Sequence, residues 1–296
     1  MCRAVGSSVV VMAALALAAC GDDSTPTAVT ASPGISPVGT PTATATTRTF
    51  TPLAATVMPV TSTATARPAT ATVTPTPVPA PIPTAGVVIT NGSRSSGLVA
   101  LTLDMGGRVE PAVDIMNWLI ANNIRSTIFM TGAMAENQNT EAGREVLRIV
   151  DANPALFELA SHSYSHSDFR ELSAAAMAEE LGRTERAMAK YASQDPRPLF
   201  RPPFGGVNDA VVAGVAAAGY PRIIMWDVDT IDWKPEADGG PTTAFMVSKV
   251  VTNARGGSIV LMHLGGYNTL QALPGIVEGL RAKGLGFATV SELLSR

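Results

Sequence analysis

From about residue 97 the chain alternates between short apolar runs and longer amphipathic stretches. Leu98-Val-Ala-Leu-Thr-Leu103, Ser126-Thr-Ile-Phe-Met130 and the run from Leu156 to Ala160 have the length and composition of buried strands. Further strands are expected near Leu199 and over 222–226, 258–262 and 286–289. Between the first two runs, Val113, Met116, Leu119 and Ile120 recur at helical spacing within 111–122. The same reading predicts helices over 141–150, 174–191, 209–218, 242–253 and 270–283. Strand-helix alternation of this kind predicts an α/β fold with a parallel sheet. About seven strands point to a closed or nearly closed barrel. An open doubly wound sheet is the alternative, but no glycine-rich phosphate loop follows the first strand.

The first 86 residues have no such pattern. Residues 1–20 read as an export signal, with Arg3 before a short apolar run from Val9 to Leu17. That run is too short to span a bilayer comfortably. It ends Leu17-Ala18-Ala19-Cys20, which resembles a bacterial lipobox, and so implies a chain exported and lipid-anchored through Cys20 to the outer face of the cell membrane. Residues 21–86 are Thr, Pro and Ala with almost no charge, and they hold 12 of the 22 prolines, which argues for a disordered, semi-rigid linker. The folded domain is expected over 87–296, facing the cell wall.

Composition narrows the chemistry. The net charge of −3 comes with scattered Lys and Arg and no basic stripe, which argues against nucleic acid as a partner. The two cysteines are Cys2 and Cys20, so the domain has no disulfide and no thiolate ligand. A metal site would have to use His, Asp or Glu.

Reactive side chains collect just after predicted strands, the face where parallel barrels place active sites. The clusters are Leu101-Thr-Leu-Asp104-Met-Gly-Gly107, Ser161-His162-Ser-Tyr-Ser-His166-Ser-Asp168, Phe200-Arg201-Pro202-Pro203-Phe204, Trp226-Asp227-Val-Asp229-Thr-Ile-Asp232-Trp233 and Leu261-Met262-His263. Single histidines are usually surface or core residues, but this chain has three and all lie at predicted strand ends. The four-residue spacing of His162 and His166 suits one side of a helical turn and a zinc-like ion. Asp104 reads either as a site carboxylate or as a helix cap, and Asp227 and Asp229 equally as site or turn residues.

In this order the five clusters resemble the polysaccharide deacetylases of the NodB-homology group, carbohydrate esterase family 4, over roughly residues 97–292. The resemblance implies a distorted (β/α) barrel that removes acetyl groups from amino-sugar polysaccharide of the cell wall or outside the cell. It implies a divalent metal, zinc first, with cobalt or nickel as substitutes, on His162 and His166. It makes Asp104 the general base, Arg201 its orienting partner, His263 the general acid and Asp232 the group that tunes it. Pro203, Phe204 and Trp233 fall in the substrate-binding motifs, with a backbone N–H near Phe204 for the oxyanion.

One position departs. Where the family has a second, metal-ligating aspartate after the base, this chain has Met105. A neutral thioether is a poor ligand for a hard divalent ion. Asp104 could ligate instead, with the base moved elsewhere; Asp168 or Asp229 could fill the gap; or the domain could be a weak or inactive glycan-binding module. On this alignment Met105→Asp should raise metal affinity.

Overall fold

The computed structural model describes residues 85–295. The export signal, Cys20 and nearly all of the linker lie outside the described residues.

Nine strands form one parallel sheet, in the order β1-β6-β5-β4-β3-β2-β8-β7, with β9 pairing β2. They are β1 (Val87–Ile89), β2 (Leu98–Met105), β3 (Ser126–Met130), β4 (Phe157–Ser161), β5 (Leu199–Phe200), β6 (Arg222–Ile224), β7 (Val228–Asp229), β8 (Ile259–His263) and β9 (Gly286–Phe287). The barrel is incomplete, because β1 and β7 end the path without pairing each other. At β2 the sheet divides: its first residues pair β9, and Ala100 to Asp104 pair β8.

Strand alternation sorts the side chains into two layers. On β2, Leu101, Leu103 and Met105 enter the outer core, with Ile128 and Met130 of β3 and Phe157 and Leu159 of β4. Helices α1 (Ala112–Ala121), α3 (Ala142–Ala152) and α7 (Thr269–Ala282) cover that core through Ile115, Val146, Leu147 and Ile276. Ala100, Phe129, Ala160 and Ile259 point the other way, into an inner core that Val290 and Leu293 of α8 (Val290–Leu294) plug. A third cluster joins α4 (Ala174–Met188) and α5 (Asp209–Ala217) around Phe169, Phe200 and Tyr220. Side-chain caps start several helices, among them Ser173 on α4, Asn208 on α5 and Thr242 on α6 (Thr243–Asn253).

The architecture is the expected NodB-like (β/α) barrel, with strands and helices the sequence did not announce. β1, β7, α2 (Gly132–Glu136) and α8 are two to five residues long. Such pieces show no period, and packing against neighbours fixes them instead.

Candidate active site

The C-terminal ends of the strands converge on one cavity of about 590 Å³. Asp104, His162, His166, Phe204, Trp233 and His263 all line it. Register explains part of this: Asp104 on β2 pairs directly with His263 on β8, and Ser161 at the end of β4 pairs Phe200 at the end of β5. His162 and Arg201 are the next residues along.

Arg201 lies behind the cavity, fully buried. Its Nη1 donates to Asp104 Oδ1 at 2.7 Å, its Nε to the Ile224 carbonyl at 3.0 Å and its Nη2 to the Met225 carbonyl at 3.2 Å. Its guanidinium stacks 4.1 Å from the Phe129 ring centroid. Burial alone would raise the Asp104 carboxyl, but the charge of Arg201, with those of His162 and His263 and the Arg201 hydrogen bond, holds it below the usual carboxylate range.

His162 is anchored by Nδ1, 2.8 Å from the Arg201 carbonyl oxygen, so Nδ1 carries the proton and Nε2 offers a bare lone pair. That lone pair faces Asp104 Oδ2 at 3.6 Å. Burial pushes His162 down to about 4, against the attraction of Asp104, and burial also lowers His166. Both rings are therefore neutral at pH 7, the form in which imidazole binds a metal.

The pair does not sit on a helical turn, as its spacing had suggested. It lies in a loop after β4 in which Ser163 (φ 72°) and His166 (φ 61°) adopt left-handed backbone. The ring centroids come to 4.9 Å, edge to face, and His166 also meets Phe204 at 4.7 Å. Gly106 makes room for this: a side chain there would overlap the His166 ring. Glu180 of α4 pins the loop from behind, accepting from Tyr164 N at 3.0 Å, Ser165 N at 2.8 Å and Ser165 Oγ at 3.0 Å. No motif flags Glu180, one of several carboxylates on its helix.

His263 and Asp232 form a second unit. His263 Nδ1 lies 2.7 Å from Asp232 Oδ1, and Asp232 Oδ2 accepts from the His263 backbone N–H at 2.8 Å and from Thr269 Oγ1 at 2.5 Å. Burial would lower the imidazole, but the hydrogen bond and charge of fully buried Asp232, with Asp104 and Asp229 beyond, raise it above its ordinary value. Nε2 is left for the cavity.

Other expectations need correcting. Pro203 is buried and does not line the cavity; Pro202 does. Met105 is fully buried in the outer core, on the opposite face of β2 from Asp104, so it does not occupy a ligand position facing the histidines. Asp168 is tied to Arg170 and lies off the cavity, and Asp227 pairs with Arg94. Asp229 does line the cavity, as do Arg108, Trp226 and Tyr267, which sequence reasoning had not singled out as lining residues. Phe204 takes a left-handed backbone (φ 58°), and among the described residues no acceptor takes its N–H.

For a metal, the donor types fit: two neutral imidazoles and an ionised carboxylate are zinc ligands. Among the described residues, no group of three or more His, Cys, Asp or Glu side chains is placed to hold a metal ion.

Fold and site together define the NodB-like class of distorted (β/α) barrels. The chain belongs to the polysaccharide deacetylase family, whose model matches residues 91–223. It is 30% identical over 201 residues to a peptidoglycan-N-acetylglucosamine deacetylase of Bacillus cereus, covering 67% of this chain and 88% of that one. It is also 30% identical over 195 residues to a bifunctional xylanase/xylan deacetylase of Cellvibrio japonicus, covering 66% of this chain but only 27% of that longer one. Among solved structures, a pseudoenzyme of carbohydrate esterase family 4 from Bacillus anthracis superposes with a TM-score of 0.60 at 28% identity, covering 70% of this chain and 69% of that one. A mutant of that pseudoenzyme has restored enzymatic activity.

Proposed function

We propose that the domain is a metal-dependent deacetylase of amino-sugar polysaccharide, acting on cell-wall or extracellular glycan from a lipid anchor at Cys20. The observation that carries this reading is the His263–Asp232 couple, 2.7 Å apart, opening on the same cavity as the neutral His162–His166 pair. A chain that only bound glycan would have no use for a buried carboxylate that favours the protonated form of a cavity imidazole.

His162 and His166 would hold the ion. When bound, it supplies a Lewis acid that polarises a carbonyl and lowers the pKa of water towards 7. Exposed Phe204 and Trp233, with Trp226, offer apolar faces to a sugar ring and its acetyl methyl. Water attacks the acetyl carbonyl carbon, and its proton passes to a cavity carboxylate; Asp104 and Asp229 are the two that line the cavity. Negative charge developing on the carbonyl oxygen is met by the unpaired Phe204 N–H. As the carbon–nitrogen bond breaks, His263 Nε2 delivers its proton to the departing amine, and acetate and the free amino sugar leave. Arg201 and Asp232 touch no substrate; they position and charge the groups that do.

A second reading, a weak or inactive tethered glycan-binding module, is favoured by Met105 and by the likeness to a pseudoenzyme. Zinc content and acetate release in the wild type and in His162→Ala separate the two. The deacetylase reading expects both in the wild type and neither in the variant. Glycan binding without zinc or acetate would favour the module.

A further inference from the structure

We infer that Arg108 is a specificity residue of the cavity: its guanidinium receives a carboxylate carried by the glycan, so the domain prefers acidic amino-sugar chains to neutral ones. The inference rests on the reading of the cavity as a glycan site.

Arg108 is the only arginine or lysine among the described residues that line the cavity. It is exposed, yet its position is built. Nη1 donates to the Gly265 carbonyl at 3.0 Å and to the Gly266 carbonyl at 3.4 Å. The guanidinium carbon lies 4.6 Å from the centroid of the Tyr267 ring. Tyr267 is itself fixed, its N–H donating to the Asp232 carbonyl at 2.6 Å. The loops after β2 and β8 touch here, and a side chain at Gly265 would overlap the Arg108 carbonyl.

The partners set this arginine apart. Carbonyls and an aromatic face carry no net charge, so they orient a guanidinium without neutralising it. Arg94, Arg125, Arg170 and Arg201 each pair with a carboxylate, whereas among the described residues none pairs with Arg108. The two carboxylates of the cavity act on other cations. Asp104 is bonded to Arg201, and Asp229 acts on the charges of Arg201 and His263. No hydrogen bond among the described residues reaches Nε or Nη2 of Arg108. Those two nitrogens form the edge with which a guanidinium grips a carboxylate by two parallel bonds.

Arg108 is bonded to the second and third residues after His263, the group that faces the departing nitrogen. It therefore neighbours the sugar that carries the acetyl group. Two structures put a carboxylate there: a lactyl ether on the next ring carbon, as in muramic acid, or a uronic acid as the adjoining sugar. A fixed guanidinium binds either in the same way.

The test compares matched oligosaccharides on the full chain in the presence of zinc. They are a neutral chitotetraose, peptidoglycan glycan strands stripped of stem peptides, the same strands with their lactyl carboxylates converted to methylamides, and an oligosaccharide of alternating N-acetylglucosamine and glucuronic acid. Binding is read from tryptophan fluorescence, since Trp226 and Trp233 line the cavity. The wild type should bind at least one carboxylate-bearing chain about 10-fold or more tighter than its neutral counterpart. Arg108→Gln should bring that ratio to within about 3-fold of one. Arg108→Lys, which keeps the charge and loses the fork, should retain part of it. Where acetate is released, the same ratio should appear in KM rather than kcat. The acidic chain that shows the preference identifies the source of the carboxylate. A merely structural role for Arg108 would weaken acidic and neutral chains alike and leave the ratio unchanged, which overturns the inference. A preference that persists in Arg108→Gln would belong to the zinc and overturns it too, as does a wild type that binds both kinds of chain equally or binds neither. Acetate release without any preference would leave the deacetylase reading standing and this inference wrong. A preference lost in Arg108→Gln, with no acetate released from any chain, would do the reverse.

Discussion

His263 is the residue whose chemistry is most tightly set by its surroundings. Its pKa is raised above the ordinary imidazole value by the hydrogen bond and charge of Asp232, which favours the protonated form that serves as acid. The deacetylation rate should then fall as pH rises past that raised value. Asp232→Asn removes the principal cause of the upward shift, and the alkaline limb of kcat/KM should move to lower pH. An alkaline limb that stays in place would mean another group delivers the proton. The same coupling contributes to stability: it is fully present below the unfolded pKa of about 6.5 and is lost as pH rises through the higher folded value. The residues of this site were largely legible in the sequence, because few polar types end apolar runs by chance and all three histidines did so. The Asp232–His263 contact was legible only through the family motif. Glu180 was not, since the same carboxylate would suit an exposed helix face, and Asp229 read equally as a site or a turn residue.

At the scale of the element, strand alternation decides what a motif can mean. Asp104 and Met105 are adjacent in sequence and face opposite layers of the molecule. The aligned motif alone makes Met105→Asp a gain in metal affinity; the strand makes it a buried, unpaired charge among Leu101, Leu103 and Met130. Met105→Asp is therefore expected to lower stability by about 3–5 kcal/mol, the scale of an uncompensated buried charge, and to leave zinc affinity no higher. Urea unfolding and zinc titration check this. Higher zinc affinity at unchanged stability would show that the end of β2 can turn position 105 towards the cavity. The long strands and helices were readable from their periods, whereas β1, β7, α2 and α8 are too short to carry one. The four-residue spacing of the two histidines suits a helical turn, but left-handed backbone at Ser163 and His166 produces the same proximity by another route.

The whole molecule joins a barrel with an open edge to a long N-terminal segment of different composition. No helix among the described residues is long and apolar enough to cross a membrane. The proposed membrane attachment is through Cys20. Cys20→Ala should move the protein from the membrane fraction to the soluble fraction, and unchanged partitioning would contradict the anchor. The barrel's parallel topology brings residues from β2, β4, β5, β7 and β8 to one end, and this gathers into one cavity motifs scattered over 160 positions, from Asp104 to His263. The most direct measurement is acetate released from chitooligosaccharides and from peptidoglycan by the metal-stripped chain, before and after adding zinc. Zinc should restore release in the wild type, and His263→Ala should reduce it about 10²–10⁴-fold. No acetate from either polymer with zinc, cobalt or nickel would contradict the deacetylase assignment.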